Sequence, residues 1–168
     1  MTLWLVGMMG SGKTTSGELA ASRLGVPFRD TDEVVAERMG CSVAQMWGTF
    51  GEATFRDMEK VALSNLAGSD GIVATGGGVV LDEDNRRILS ESQRVVWLEA
   101  SPTVLEMRLD STMDRPGLVL SEIRTADFLS ELLDERLPLY TEVASHRIST
   151  DSIDADAVAK EIEDIWKA

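Results

Sequence analysis

The stretch Gly7-Met8-Met9-Gly10-Ser11-Gly12-Lys13-Thr14 limits what this chain can fold into more than any other. It satisfies G-x-x-x-x-G-K-[ST] at every required position. Leu3-Trp4-Leu5-Val6 runs directly before it and reads as a buried strand. Leu19, Ala20, Arg23 and Leu24 follow at helical spacing. Gly7, Gly10 and Gly12 let the backbone turn tightly and approach phosphate oxygens, where a Cβ would obstruct. Free N–H groups and the positive end of the following helix favour an anion. Lys13 adds a point charge for β- and γ-phosphates, and Thr14 offers a hydroxyl to Mg²⁺. A chance glycine-rich turn would not need the strand, the lysine and the threonine together.

The rest of the chain alternates. Strands are expected at 2–6, 26–29, 71–75, 94–98 and 146–149. Helices are expected at 13–24, 31–39, 42–48, 52–67, 83–90, 102–109, 125–143 and 154–167. This order implies a parallel sheet with helices on both faces. Right-handed crossovers then place the loops after the strands along one sheet edge, where ligands bind. At 168 residues the chain reads as one domain, 1–168. The polar segment 110–118 has no periodicity and reads as a surface loop or a functional lid.

Composition excludes several classes. No apolar run approaches the ~20 residues of a membrane span, and a start directly in strand leaves no room for a signal peptide. Cys41 is the only cysteine, which rules out an internal disulfide and fits a reducing cytoplasm. His146 is also alone, and one His with one Cys does not make a zinc site. A net charge of −13 repels nucleic acid. Anionic substrates would need cations gathered in the site.

Four further stretches carry candidate chemistry. Phe28-Arg29-Asp30-Thr31-Asp32 sets two carboxylates at a strand end, able to face the phosphate loop. Asp30 could hold Mg²⁺ through water, and Asp32 could orient a substrate hydroxyl or act as a base. The same residues suit helix capping, with Asp30 or Thr31 as N-cap, and both readings can hold together. In Gly51-Glu52-Ala53-Thr54-Phe55-Arg56-Asp57-Met58-Glu59, Arg56 lies near a helix start, where a cation opposes the dipole. Either a ligand carboxylate takes its guanidinium, or Glu52 and Glu59 pair with it along the helix. Thr75-Gly76-Gly77-Gly78 ends the third strand without the terminal Asp of many motor-type ATPases. Three glycines are costly in entropy; they fit backbone N–H groups brought close to a ligand, whereas a tight turn needs one or two. Arg136 in Asp134-Glu135-Arg136-Leu137-Pro138-Leu139-Tyr140 is a second candidate anion binder, or a surface arginine covering apolar groups with its stem. Pro138 is expected to kink that helix.

In this order the pieces resemble the shikimate kinase family. The family's pattern runs through the phosphate loop, F-x-D-T-D, G-E-x-x-F-R-x-x-E, G-G-G, an R-P lid and R-x-P-L-Y. The matching stretches here are 7–15, 28–32, 51–59, 76–80, 115–118 and 136–140. The resemblance implies an α/β fold of the nucleoside-monophosphate-kinase type: three layers around a five-stranded parallel sheet in the order 2-3-1-4-5, with a mobile lid at about 110–123. It implies that MgATP phosphorylates the 3-hydroxyl of shikimate in aromatic amino-acid synthesis. The chain is also expected to be a cytoplasmic monomer, and its charge and hydropathy point to no nucleic-acid or membrane partner. Lys13 and the loop at Gly10, Ser11, Gly12, Thr14 and Thr15 would hold phosphates. Thr14 with Asp30 would hold one Mg²⁺. Asp32 would bind substrate hydroxyls and serve as base. Arg56, Arg136, Gly77 and Gly78 would hold shikimate, and Arg115 on the lid would reach the γ-phosphate. Arg108 matches an adenine-side arginine of the family. The chain departs from the pattern in two places: Gly117 replaces a lid leucine, and 150–155 lacks a basic residue that relatives often place against the base.

A gluconate or nucleoside-monophosphate kinase of the same fold is the alternative enzyme. A nucleotide acceptor would need a site for a second base and phosphate, whereas two arginines with Asp32 suit a small polyhydroxy acid. A GTP switch would carry an N-K-x-D guanine reader, which this sequence lacks. A regulator without catalysis would have lost charged site residues, and Asp30, Asp32, Arg56, Arg115 and Arg136 all remain.

Overall fold

The structure is a computed structural model and describes residues 1–110 and 125–168. Five strands, β1 (Thr2–Val6), β2 (Phe28–Asp30), β3 (Gly71–Ala74), β4 (Val95–Glu99) and β5 (His146–Ser149), form one parallel sheet in the order β2-β3-β1-β4-β5. Side chains alternate between the two faces, so each apolar run feeds two cores. Trp4, Val6, Val73, Val95 and Trp97 pack on one face with Leu89, Leu105, Leu129 and Tyr140. Leu3, Leu5, Ile72, Val96 and Leu98 pack on the other with Ala20, Ala21, Val158 and Ile162.

The helices are α1 (Lys13–Leu24), α2 (Thr31–Met39), α3 (Val43–Leu66), α4 (Glu83–Ser92), α5 (Pro102–Asp110), α6 (Ala126–Val143) and α7 (Ala155–Lys167). Most starts are capped by side chains. Asp30, Asp82, Thr125 and Asp154 accept from the first-turn amides of α2, α4, α6 and α7, and Ser42 forms a capping box with Gln45. Among the described residues, no helix is long and apolar enough to cross a membrane.

The sequence-based bounds shift in places. The strand expected at 26–29 begins only at Phe28 and continues to Asp30, because Pro27 has no N–H to give a ladder. The strand expected at 71–75 ends at Ala74, and the one expected at 94–98 runs Val95–Glu99. The helices expected at 42–48 and 52–67 are the two arms of α3, which kinks where the break was expected, at Gly51, whose φ of 81° and ψ of 168° are non-helical. Only this one residue breaks the helix, and glycine tolerates its positive φ. A 3-10 turn, Val79–Leu81, follows the three glycines and was not expected from the pattern. α6 carries Pro138 inside and continues to Val143. The expected lid at 110–123 lies, apart from Asp110, outside the described residues.

α2 and α3 pack on each other beyond the β2 edge around a small separate core of Val35, Met46, Phe55 and Ala62. This pair carries Arg56 and Glu59 over the ends of β2 and β3.

Candidate active site

The site is built where the strands end. Between β1 and α1 the chain passes Gly7 at φ 144° and reaches Gly12, the N-cap of α1, at φ 96°. Both angles lie where side-chain-bearing residues are strained. The Lys13 ammonium folds back over this loop and donates to the Gly7 and Met8 carbonyls at 2.9 and 2.8 Å. Its side chain is buried, and burial pulls its pKa down to about 8, although the carboxylates of Asp30 and Asp32 favour its charge. Ser11 Oγ is buried in the same loop without a hydrogen-bond partner among the described residues, while Thr15 is exposed.

Thr14 Oγ1 donates to Asp30 Oδ2 at 2.9 Å, joining the start of α1 to the end of β2. Asp30 Oδ1 accepts from the Asp32 amide at 3.0 Å and caps α2. Asp30 therefore does both things its sequence position allowed: one oxygen caps a helix and the other turns to the phosphate loop. A hydroxyl and a carboxylate held together are hard oxygen donors that suit Mg²⁺, which takes one or two carboxylates and keeps waters and phosphates as its other ligands. No cage of three or more His, Cys, Asp or Glu side chains forms among the described residues.

The second half of the site surrounds the glycines after β3. Gly76 N–H donates to Thr31 Oγ1 at 3.0 Å, which ties this loop to the start of α2. A Cβ on Gly76 would stand 2.6 Å from Glu59 Oε1 and 2.7 Å from Asp32 Oδ1. Both oxygens are buried and unpartnered among the described residues. Burial, then the charges of Asp30 and Glu59, push the Asp32 carboxyl up to about 7, against the pull of Lys13 and Arg56. Burial also raises Glu59, which Arg56 opposes.

Gly77 touches the phosphate loop: a Cβ there would lie 3.2 Å from Met9 N and 3.5 Å from Gly7 O. Its carbonyl accepts from Arg136 Nη1 at 3.1 Å and from the Tyr140 hydroxyl at 2.5 Å. Arg136 is 8% exposed, and its Nε is buried without a partner among the described residues. Arg136 therefore faces inward and does not lie over the surface. Gly78 faces Arg56, whose Cζ would lie 2.6 Å from a Gly78 Cβ. Arg56 pairs with Glu59 at 2.9 Å and Glu52 at 3.2 Å, and lies 5.7 Å from the Trp47 ring and 5.4 Å from that of Phe55. The two carboxylates offset the cation near a helix start, as its spacing suggested.

On the far side of the loop, Arg108 Nη1 donates to Thr150 Oγ1 at 3.0 Å and to Gly10 O at 3.4 Å, and Nη2 donates to Thr150 O at 2.6 Å. It therefore braces the phosphate loop against the end of β5. Arg115 lies outside the described residues. Sequence reasoning had Glu59 only as a partner of Arg56, and gave Thr31 and Tyr140 no part in the site. A signal for Glu59 and Tyr140 was present, since each closes a motif that also holds a site arginine.

Asp32, Glu59, Arg56 and Arg136 thus meet around three glycines laid against a phosphate loop. The family model for shikimate kinase matches residues 9–166. The shikimate kinase of Moorella thermoacetica is 42% identical over 165 residues, covering 98% of this chain and 93% of its own. That of Pseudomonas paraeruginosa is 39% identical over 163 residues, covering 96% and 94%. Among solved structures, shikimate kinase from Acinetobacter baumannii in complex with shikimate matches with a TM-score of 0.88 at 35% identity, covering 99% of this chain and 92% of that one. Sheet order, site and full-length similarity agree, and the chain belongs to the shikimate kinase family.

Proposed function

We propose that this protein transfers the γ-phosphoryl group of MgATP to the 3-hydroxyl of shikimate, giving shikimate 3-phosphate and ADP. One observation carries the reading. Two buried carboxylate oxygens without partners among the described residues, Asp32 Oδ1 and Glu59 Oε1, gather at Gly76, with the Arg136 and Arg56 guanidinium groups against Gly77 and Gly78 and Arg136 Nε also unpartnered. Buried polar groups are left open at this cost where a ligand completes them. Two guanidinium groups with two carboxylates suit a small acid bearing hydroxyls.

The phosphates of ATP take the Lys13 ammonium away from the Gly7 and Met8 carbonyls, with the amides of Gly10, Ser11, Gly12, Thr14 and Thr15 around them. Thr14 and Asp30 would hold Mg²⁺, which would supply positive charge against that of the phosphates. Arg56 and Arg136 grip the acceptor carboxylate, and Gly77 and Gly78 face its ring. Asp32 orients the 3-hydroxyl. As the oxygen attacks the γ-phosphorus and the bond to the ADP oxygen breaks, the hydroxyl proton passes to the Asp32 carboxylate. The sequence motif gives Arg115 the γ-phosphate and Arg108 the adenine side. The protein acts as a monomer in this reading, and the lone Cys41 is consistent with the cytoplasm.

The test is ADP release with MgATP and shikimate, quinate, gluconate, AMP or no acceptor. Shikimate-dependent release well above the no-acceptor rate is expected. Release with gluconate instead would keep the site chemistry and change the substrate; failure of every acceptor to raise release above the acceptor-free rate would end the reading. Arg136→Ala is expected to raise KM for shikimate by about 2–4 kcal/mol of lost binding, because it leaves an anion unpaired. An unchanged KM would mean that the carboxylate is held elsewhere.

A further inference from the structure

Tyr140 closes the R-x-P-L-Y motif, yet the reaction above gives it no part. It stands one helical turn after Arg136, so the two side chains leave the same face of α6. Its ring is fully buried and stacks on Trp97 of β4, with centroids 5.7 Å apart and planes at 20°. Its hydroxyl does not stay in that apolar core. It reaches the Gly77 carbonyl at 2.5 Å, where Arg136 Nη1 also arrives at 3.1 Å. Burial raises the phenol to about 12, so it is a hydrogen-bond donor at every working pH.

The consequence follows from peptide geometry. The Gly77–Gly78 bond is trans, so its C=O and N–H point in opposite directions. With both lone-pair directions of the oxygen held from α6, the plane of the peptide is set, and the Gly78 N–H is aimed away from α6. Neither Gly77 N–H nor Gly78 N–H has a protein acceptor among the described residues. Glycine has no side chain to hold this plane, so the restraint must come from elsewhere.

We propose that Tyr140 is a positioning residue of the acceptor site: its hydroxyl, on the Gly77 carbonyl beside Arg136, fixes the Gly77–Gly78 peptide and so aims the Gly78 N–H and the Arg136 guanidinium at the hydroxy-acid acceptor. The proposal rests on the functional reading above. The plainer account is that a buried phenol has taken the nearest carbonyl. That account predicts lost stability and unchanged kinetic constants below the melting temperature.

Tyr140→Phe separates the two, since it keeps the ring and its stacking and removes only the donor. The expected result is a KM for shikimate raised about 5- to 20-fold, the effect of one lost hydrogen bond, with KM for ATP unchanged and kcat lowered less than KM is raised. An unchanged KM for shikimate overturns the proposal, whatever the melting temperature does. So does an equal rise in both KM values, which marks general loosening. Because Tyr140 is the only tyrosine of the chain, 3-fluorotyrosine labelling of the otherwise unaltered protein gives one ¹⁹F resonance. That resonance is expected to move on adding shikimate and not on adding ADP, and no movement with shikimate overturns the proposal. A wild-type enzyme that fails to turn over shikimate would instead overturn the functional reading.

Discussion

Lys13→Ala is expected to abolish turnover, lowering kcat on the order of 10³-fold or more by removing a preorganised cation from the developing phosphoryl charge. The ammonium sits over the loop carbonyls in a buried setting, where a charge acts through less screening than in water. No other lysine can replace it. Lys60 is paired with Asp82 and Asp84, Lys160 with Asp164 and Lys167 with Glu163. In a chain of net charge −13, loss of one site cation also leaves Asp30 and Asp32 less balanced. The measurement is steady-state ADP release with MgATP and shikimate, alongside a melting curve. Lys13→Met, which keeps the apolar stem, is expected to lose as much activity as the alanine variant. A normal kcat in a folded variant would remove Lys13 from the mechanism.

Asp32→Asn is expected to lower kcat by roughly 10²- to 10⁴-fold, the range of general acid–base contributions, while ATP still binds. The same variant is expected to be more stable than the parent. The Asp32 carboxyl sits at about 7 in the folded protein, chiefly through burial, against an ordinary value of 3.8. Between those values the folded state holds a proton that the unfolded state has released. Stability from this group therefore falls as pH rises from about 4 to about 7, then levels off. Asparagine removes that decline. With chelator present and no nucleotide, the variant should melt a few degrees higher at pH 8, and the gap should close toward pH 4. Full activity would exclude Asp32 from proton transfer. A melting temperature equal to the parent's at pH 8 would mean that the carboxylate is better solvated than its burial suggests.

Much of this fold is legible in the sequence because it is local. The phosphate loop, the apolar runs of β1, β3 and β4 and the acidic helix caps depend on neighbours within a few residues. Boundaries moved by a residue or two at strand ends, as at Pro27 before β2, where one missing N–H decides. The motifs also named nearly every charged side chain of the site. Motif spacing could not say which partners those side chains take. Arg56 reads equally well as a ligand fork or as a helix ion pair, and the structure gives it Glu52 and Glu59 together with a place facing Gly78.

The sequence by itself determined a parallel α/β chain with a phosphate loop and its family, since periodicity and motif order survive without coordinates. Only the tertiary structure decided which groups meet at the glycines. Gly76 bonds Thr31 across 45 residues, and Tyr140 reaches Gly77 across 63. Strand order sets these encounters, because β3 lies between β1 and β2 and brings its loop between the phosphate loop and the start of α2. Burial there, a property of the packed whole, gives Asp32, Glu59 and Lys13 their altered proton affinities.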